Sequence, residues 1–438
     1  PDTNGKFGLW LEGGKVSNFN VGESTVTLPE ETYLNPVNTG ADPDVLFYEG
    51  TYYLYVYSGV SSNDIFRVYT SPDLVHFTRR NVVFEWKDEY SQSAVRNSSW
   101  SPNVSYNEQD GLFYLFFASK RQGELESDNI RSVYYATSTS PYGPFEYREN
   151  GKIAPLKPVN PINEQPTLDV DGNRTGAYQK SNEIDGHPFY DDTDGDGDVD
   201  KIYMSFSRYD WGGTIWIEEV NMKNGVVTPV EKNGEIVQER AIVPIQEWES
   251  DGATNLCEGG FIFKYENYYY MIYATTSYAR HYGQTYAWAT SPLGPWTKSE
   301  HGKFLTHNFT LDGPGDALIV PSPDGKELYL VYHRHFSTEK VHQRQTCVDK
   351  LVFVDDPTNP SGPKIITSAG PSSTPQKLPS HIYRYDVDRK NGVTLGDALL
   401  VLKNKNHTVE EYCGKYDANA DGKVSLIDAV AVLANAVK

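Results

Sequence analysis

Five polar residues recur at similar positions along the chain, each about eight or nine residues before a predicted turn. They are Asp42 in GADPDV, Asn103 in SWSPNV, Asp185 in EIDGHP, Glu258 in LCEGGF and Asp316 in GPGDAL. Glycosidic cleavage needs one carboxylic acid to protonate the leaving oxygen and a second carboxylate to activate water or attack the sugar. The pattern therefore predicts a glycoside-cleaving site, if the fold brings these residues together.

Taken singly, each position also fits an ordinary turn, because Asp-Pro, Asp-Gly and Glu-Gly are common turn dipeptides. Repetition at one offset favours a shared site. Glu258 is the candidate acid, because Cys257 and the glycines 259 and 260 suggest compact, apolar surroundings that raise a carboxyl pKa. Asp42, which precedes Pro43, is the candidate base.

A repeated hairpin pattern supplies the elements that would position these residues. Apolar alternation flanks a turn in five copies, which begin at Val45, Val104, Pro188, Phe261 and Leu318. A second motif, a Pro/Gly turn before an aromatic strand, begins at Thr70, Thr137 and Ala289 and fits outer strands. Spacings of roughly 60–80 residues match four-stranded blades. The sequence predicts an all-β five-bladed propeller whose innermost strands begin around one funnel.

Composition narrows the functional classes. The chain has 438 residues and a formal net charge of −20, which argues against nucleic acid and anionic membranes as partners. No apolar run has transmembrane length. Three cysteines do not form a disulfide framework, although a bridge between Cys257 and Cys347 stays open. The chain starts at Pro1 without a signal peptide, as a mature secreted product would, so we expect an extracellular protein.

The composition changes after the predicted propeller. We assign residues 1–366 to the propeller and residues 367–382, which are rich in Ser, Thr and Pro, to a linker. Residues 383–438 switch to helical apolar spacing and carry two Asp-rich loops. We expect a small all-α module there.

Both loops of this module match calcium-binding loops followed by a helix. The second loop supplies oxygen ligands at positions one, three, five and twelve, namely Asp417, Asn419, Asp421 and Asp428. The first loop is a weaker copy with Lys390 at position five, and its candidate ligands are Asp386, Asp388 and Asp397. The predicted cofactor is Ca²⁺.

A third Asp-rich stretch, DDTDGDGDVD, lies in the turn of the third hairpin. Asp192, Asp194 and Asp196 alternate with small residues and would point oxygens to one side. No helix follows and no Glu stands at position twelve. A calcium site and a solvated turn both remain open.

Residues from about Asn35 to about Thr367 resemble glycoside hydrolase family 43. The matching stretches are ADPDVLFYEGTYYLY, SWSPNVSYNEQDGLFYLFF, EIDGHPFYDD, CEGGFIFKYENYYYMIYATTS and GPGDALIVPSPDGKELYLVYHRH. The resemblance implies a five-bladed propeller that hydrolyses glycosides with inversion. It also implies that Asp42 is the general base, Glu258 the general acid, and Asp185 the residue that orients the acid and raises its pKa.

The chain departs from the family at Asp316, where many members carry a His that often contacts a central metal or water. Asp316 is therefore a candidate cation ligand. Trp100 and Asn103 are candidate sugar contacts at the funnel position of the second blade. Weaker candidates for substrate binding are Arg280, His281 and His333, and a structural role for His333 fits equally well.

The C-terminal module resembles a type I dockerin. This resemblance implies a cohesin partner on a scaffoldin, and hence a cellulosome component that is otherwise monomeric. The expected substrate is a plant polysaccharide, with α-L-arabinofuranosidase or β-D-xylosidase activity. β-Galactosidase, galactanase or endo-arabinanase activity, or a carbohydrate-binding propeller without catalysis, are the alternatives.

Calcium removal should unfold the region after Tyr383 and leave the propeller's activity nearly intact. A module of about 55 residues has a small core, so metal binding supplies much of its folding free energy. Helical circular dichroism and glycoside hydrolysis, each recorded with and without a chelator, measure the two effects. A helical signal that survives the chelator would contradict the prediction.

Overall fold

The computed structural model describes residues 32–57, 66–96, 98–122, 130–160, 164–169, 171–180, 182–209, 212–380, 387, 393–405, 416, 418 and 423–436. Within these ranges the chain is built almost entirely of antiparallel strands, with two α-helices near its C-terminus. In this part of the chain no helix has the length and apolar character needed to cross a membrane.

Five sheets of three to five strands follow one another as blades, which confirms the predicted five-bladed propeller. Blades 1 and 2 contain the strands Ala41–Tyr48, Thr51–Tyr57, Phe66–Ser71 and Thr78–Phe84, then Trp100–Asn107, Leu112–Lys120 and Arg131–Ser138. Blade 3 contains Glu183–Asp191, Lys201–Arg208, Thr214–Lys223, Val226–Pro229 and Gln238–Ile242. Blades 4 and 5 contain Cys257–Tyr265, Tyr268–Ser277, Arg280–Ala289 and Thr297–Lys298, then Gly315–Pro321, Leu328–Arg334, Gln345–Val354, Ile365–Ser368 and the early strand Asn38–Thr39.

Short strand pairs and turns decorate the blades. The pairs are Arg148–Glu149 with Lys152–Ile153, Glu164–Leu168 with Arg174–Lys180, Glu231–Lys232 with Glu235–Ile236, and Thr32–Tyr33 with Gln376–Lys377. Two 3₁₀ turns span Asp88–Gln92 and Glu247–Glu249.

Large apolar side chains fill the spaces between neighbouring blades. Phe66 of blade 1 packs against Phe117 of blade 2, with ring centroids 5.6 Å apart. Leu54 of blade 1 shares a second buried cluster with Val331 of blade 5. The alternating tyrosines and phenylalanines of the sequence thus act mainly as core. Cys257 and Cys347 are both buried free thiols, so no bridge joins them.

The N-terminal end of the propeller closes the ring by joining blade 5. Asn38 and Thr39 pair with Thr346 and Gln345, so this early strand completes the last sheet. The Asn35 amide, itself buried, donates to the Val348 carbonyl at 2.8 Å and accepts from the Val348 amide at 2.8 Å. These bonds span more than 300 residues of sequence and hold the two ends of the ring together.

Residues 367–380, predicted as part of a linker, instead belong to the folded propeller. Ile365–Ser368 pairs with the third strand of blade 5, and Gln376–Lys377 pairs with Thr32–Tyr33. The small polar side chains that suggested a linker make structural hydrogen bonds: the Ser380 hydroxyl lies 2.7 Å from Asp324 Oδ1, and the Ser372 hydroxyl accepts from the Asn35 side-chain amide at 3.0 Å. The linker prediction was therefore wrong for this stretch.

Each innermost strand carries a β-bulge near its start, with one residue in the left-handed region of φ. The residues with positive φ are Asp42 (47°), Ser101 (52°), Asp185 (56°), Gly259 (62°) and Asp316 (51°). The strand register shifts at this point in all five blades. The bulge turns the backbone at the mouth of the central channel and re-aims the side chains there.

This register corrects two of the five predicted equivalences. In blade 2 the residue that corresponds to Asp42 is Ser101, and Asn103 corresponds instead to Asp44. In blade 4 the corresponding residue is Gly259, and Glu258 lies one position earlier. A count of residues back from the turn could not fix these equivalences, because the hairpin turns differ in length: strand pairing ends at Tyr48 and Thr51 in blade 1 but at Asn107 and Leu112 in blade 2.

The two C-terminal helices, Leu395–Asn404 and Leu426–Ala436, confirm the predicted helical segments. Each begins with a carboxylate that caps its own first turn. Asp397 Oδ2 accepts from the amide and hydroxyl of Thr394, and Asp428 Oδ2 accepts in the same way from Ser425. The other predicted calcium ligands of this module, which are Asp386, Asp388, Asp417, Asn419 and Asp421, lie outside the described residues.

Candidate active site

A cavity of about 490 Å³ opens at the end of the channel where the bulges lie. All five blades contribute to its wall. The lining combines carboxylates with aromatic rings and cations; its members are Asp42, Tyr57, Trp100, Arg131, Asn182, Ile184, Asp185, Tyr209, Glu258, Tyr278, Tyr282, Asp316, His342 and Arg344. The four carboxylic acids singled out in the sequence therefore meet in one place.

Asp42 is bound to a buried cation. Its Oδ1 accepts from Nη1 of Arg344 at 2.9 Å, and its backbone amide donates to Nδ1 of His333 at 3.4 Å. The Asp42 residue is only 8% exposed. A buried carboxylate is costly without a paired positive charge, so Arg344 stabilises the ionised form that a base needs.

Glu258 accepts hydrogen bonds on both carboxylate oxygens. The hydroxyl of Tyr282 donates to Oε1 at 2.7 Å, and that of Tyr209 donates to Oε2 at 2.9 Å. Burial raises the pKa of Glu258, while the two phenol hydrogen bonds oppose the rise. The predicted apolar surroundings are therefore only part of its environment, because two hydroxyls contact the carboxylate directly.

Asp185 lies close enough to the other acids to interact with them electrostatically. Burial raises its pKa well above the usual value, and the charges of Glu258 and Asp42 raise it further. The Ser207 hydroxyl donates to Asp185 Oδ2 at 3.2 Å and accepts from the amide of Gly259. One serine thus connects Asp185 to the bulge beside Glu258.

Asp316 is the fourth carboxylic acid of the cavity. Burial raises its pKa well above the usual value, with further contributions from the charges of Asp42, Asp185 and Glu258. Its carboxylate lies so near Gly259 that a Cβ there would be 2.5 Å from Oδ1. Gly259 is required on steric grounds and by its positive φ.

A central metal of the kind implied by the family fits these residues poorly. Ligand atoms of Asp42, Asp316 and His333 do lie within 4.8 Å of one another. However, Arg344 Nη1 already binds Asp42 and lies 3.2 Å from Nε2 of His333. The guanidinium therefore supplies positive charge at the position where a cation would sit.

The two predicted sugar contacts of blade 2 lie in different places. Trp100 lines the cavity, and the Arg131 guanidinium lies 5.0 Å from its ring centroid. Asn103 does not line this cavity. It is buried in the narrower channel, where its amide donates to Asp44 Oδ1 at 2.7 Å. Its position follows from the strand register, in which Asn103 lies two residues beyond Ser101, the equivalent of Asp42.

None of the three weaker candidates lines the cavity. Arg280 points to solvent and pairs with Asp251 at 3.0 Å. The His281 side chain is also exposed, and its ring lies 6.0 Å from that of His307. The turn between two strands of blade 4 carries Arg280 and His281 away from the cavity. His333 is fully buried behind Asp42, where burial and the charge of Arg344 lower its pKa well below the usual value. It supports Asp42 from behind.

The Asp-rich turn of blade 3 brings together a set of carboxylates that differs from the predicted one. Oxygens of Asp192, Asp194 and Asp200 lie within 4.8 Å of one another, whereas Asp196 is not among them. The Asp196 Oδ1 accepts from the amide of Asp198 instead. The alternation rule missed Asp200, because the turn folds back and returns that residue to the start of the loop.

Several residues of the cavity carried no sequence signal of their own. Arg344 lies in HQRQT, beyond the last predicted hairpin, and Tyr209 directly follows the second strand of blade 3. Tyr282 follows Arg280 and His281, and it is the member of that stretch that faces the cavity. Side chains alternate between the two faces of a strand, so Tyr282 faces the cavity although its neighbour His281 does not.

Comparisons with known proteins agree with this architecture. The profile of the glycosyl hydrolases family 43 matches residues 33–358. A β-D-galactofuranosidase of Aspergillus niger is 24% identical over 333 residues, which cover 73% of this chain and 82% of that protein. A xylosidase/arabinosidase of Bacteroides ovatus is 24% identical over 302 residues, covering 61% and 79%.

A solved thermostable family-43 glycoside hydrolase has a similar fold, with a TM-score of 0.60 and 28% identity over 80% of this chain and 99% of that one. The chain therefore belongs to glycoside hydrolase family 43. It is a glycoside hydrolase.

The contact between Arg344 and Asp42 generates a test. Arg344→Met removes the positive charge beside Asp42, so an ionised carboxylate there becomes less stable. The general base must be ionised to activate water, so we expect kcat/KM at neutral pH, measured from initial rates, to fall roughly 100-fold.

Arg280→Met is the matched control, since this arginine contacts Asp251 outside the cavity. It should leave kcat/KM unchanged. An unchanged kcat/KM in Arg344→Met would contradict the role given to the guanidinium.

Proposed function

We propose that this protein is an inverting, exo-acting glycoside hydrolase that removes α-L-arabinofuranosyl or β-D-xylosyl units from plant cell-wall polysaccharides. The observation that carries the proposal is the meeting of Asp42, Asp185 and Glu258 in one cavity, in distinct electrostatic settings. Arg344 favours the anion of Asp42, while burial favours neutral Glu258. Two carboxyl groups driven to opposite protonation states are what acid–base hydrolysis requires.

In this mechanism Asp42 takes a proton from a water molecule, whose oxygen attacks the anomeric carbon from the face opposite the leaving group. Glu258 gives its proton to the glycosidic oxygen as the carbon–oxygen bond breaks. Asp185 interacts electrostatically with Glu258 and is linked through Ser207 to the bulge beside it, so we assign it the role of orienting the acid and modulating its pKa. The products are the released sugar and the shortened chain.

The wall of the cavity supports a sugar ligand. Trp100, Tyr57 and Tyr278 offer ring surfaces against which sugar C–H groups pack, while Asn182 and Arg131 offer polar contacts for hydroxyls. The named activities of the two curated relatives support arabinose, xylose or galactofuranose as the released sugar. β-Galactosidase, galactanase and endo-arabinanase activities remain the alternatives on this fold.

Two variants test the assignment on aryl α-L-arabinofuranoside, β-D-xyloside and β-D-galactofuranoside. Asp42→Asn should abolish hydrolysis of every substrate, because no base remains to activate water. Glu258→Gln should reduce activity on natural oligosaccharides by roughly 100-fold or more, while an aryl glycoside with a good leaving group is largely spared. Initial rates over a range of leaving groups measure the difference.

Equal losses on natural and aryl substrates would contradict Glu258 as the acid. Binding of sugars by the wild type without any turnover, on aryl glycosides and on arabinan, arabinoxylan and galactan alike, would favour a binding propeller instead.

We further propose that the C-terminal segment is a dockerin that binds calcium and a cohesin, and that the protein is secreted and attached to a scaffold. Exposed apolar residues at matched positions on the two helices support a docking surface. Leu395 and Leu399 on the first helix correspond to Leu426 and Val430 on the second, and each is more than half exposed. Apolar side chains exposed in this repeated way are typical of a protein interface.

Replacement of all four of these residues by Ser should abolish binding of the full chain to an isolated cohesin in the presence of calcium and leave glycoside hydrolysis unchanged. Calorimetry with a cohesin measures the binding. The control changes residues that lie outside both helices. Thr367→Ala and Ser368→Ala on blade 5 should leave cohesin binding intact. Undiminished binding by the fourfold variant would contradict this surface.

A further inference from the structure

The two tyrosines that contact Glu258 differ in their surroundings. Tyr282 is 3% exposed, and its ring stacks on that of His333 at a centroid distance of 5.9 Å. A Cβ at Gly315 would lie 1.7 Å from its Cε1 atom, so the chain leaves just enough space for this ring. Its hydroxyl therefore has one available position, against Oε1 of Glu258.

Tyr209 lies at the open side of the same carboxylate and is 39% exposed. It follows Arg208, whose buried guanidinium pairs with Glu183 at 2.9 Å and lies 4.0 Å from the ring centroid of Trp216. The backbone at Tyr209 is fixed in turn by a hydrogen bond from its amide to the Asn182 carbonyl. The base of the side chain is anchored, while the hydroxyl faces the cavity.

We propose that Tyr282 and Tyr209 are positioning residues for the general acid. Tyr282 holds Oε1 of Glu258 as a hydrogen-bond acceptor, so that Oε2, which Tyr209 contacts, carries the transferable proton. The proposal rests on the assignment of Glu258 as general acid. It adds two residues to the catalytic apparatus that were not apparent in the sequence.

The protonation cycle of a carboxylic acid explains the need for two different donors. Neutral Glu258 has one hydroxyl, and because buried Tyr282 always donates to Oε1, the proton resides on Oε2 and faces the cavity. The Tyr209 hydroxyl rotates about its C–O bond, so it accepts from or turns away from this proton. Oε2 then gives the proton to the glycosidic oxygen as the glycosidic carbon–oxygen bond breaks. The resulting carboxylate accepts from both phenols, which stabilises it at the moment it forms.

The sign of the expected pH effect follows from this cycle. Hydrogen bonds from phenols stabilise the anion of Glu258, so they lower its pKa against the rise caused by burial. The general acid must be protonated, and activity is lost as the pH rises through that pKa. Removal of either hydroxyl should therefore move the alkaline limb of kcat/KM upward, by about one pH unit for one lost hydrogen bond.

The experiment compares Tyr282→Phe and Tyr209→Phe with the wild type over the full pH range, on a natural oligosaccharide and on an aryl glycoside with a good leaving group. Phe retains each ring, so packing is preserved. We expect the upward shift in both variants, and a loss of roughly 10-fold at neutral pH on the natural substrate that is much smaller on the aryl glycoside. Tyr278→Phe is the control, because this tyrosine lines the cavity without a hydrogen bond to Glu258; its alkaline limb should stay in place.

An alkaline limb that does not move, or equal losses on the two substrates, would overturn the positioning role while leaving the hydrolase assignment intact. A wild type that turns over no glycoside would instead overturn the proposed function itself. Circular dichroism melting of each variant separates both outcomes from a failure to fold.

Discussion

The left-handed residue at the start of each innermost strand is the constraint on which the site depends. In a regular strand, successive side chains alternate between the faces of the sheet, and both faces here are packed against neighbouring blades. A carboxylate at such a position would be buried between sheets. The bulge rotates the chain by one residue at the mouth of the channel, so that Asp42, Asp185 and Asp316 point along the axis. A left-handed conformation costs a non-glycine residue about 1 kcal/mol, and the blades bear this strain at four positions.

The convergence of acids creates a second requirement, which is control of charge. Four buried carboxyl groups in one cavity cannot all be ionised, and the structure separates them by their partners. Asp42 has a guanidinium, Glu258 has two phenols, Asp185 has two serines, and Asp316 has the other acids as its main electrostatic neighbours. Two of these partners come from a different blade than the acid they contact. Arg344 of blade 5 binds Asp42 of blade 1, and Tyr209 of blade 3 binds Glu258 of blade 4. Ring closure therefore determines electrostatics as well as shape.

The sequence predicts the blades well, because hairpins with alternating aromatic residues leave a local, repeated signal, and the three acids that it singles out lie together in the cavity. Exact equivalences between blades were less accessible. Asn103 and Ser101 are both polar and flank Pro102, so only the hydrogen-bond register shows that Ser101 corresponds to Asp42. Arg344 and Tyr209 leave no local pattern, since their significance arises from contacts across 302 and 49 residues of sequence. Composition also misled at residues 367–380, where Ser and Thr serve as hydrogen-bonding groups in a folded edge rather than as a flexible spacer.

The closing strand has a consequence for how this enzyme matures. Asn35 binds Val348, and Asp42 binds Arg344, which lies just before Val348 in the chain. Both contacts join the first described residues to a segment synthesised some three hundred residues later. During translation the first four blades emerge with Asp42 lacking its cation, and contacts of such long sequence separation form late in folding. A chain whose last blade is missing or detached therefore lacks the contact between Arg344 and Asp42. We expect such a chain to be catalytically inactive, although it contains Asp42, Asp185 and Glu258.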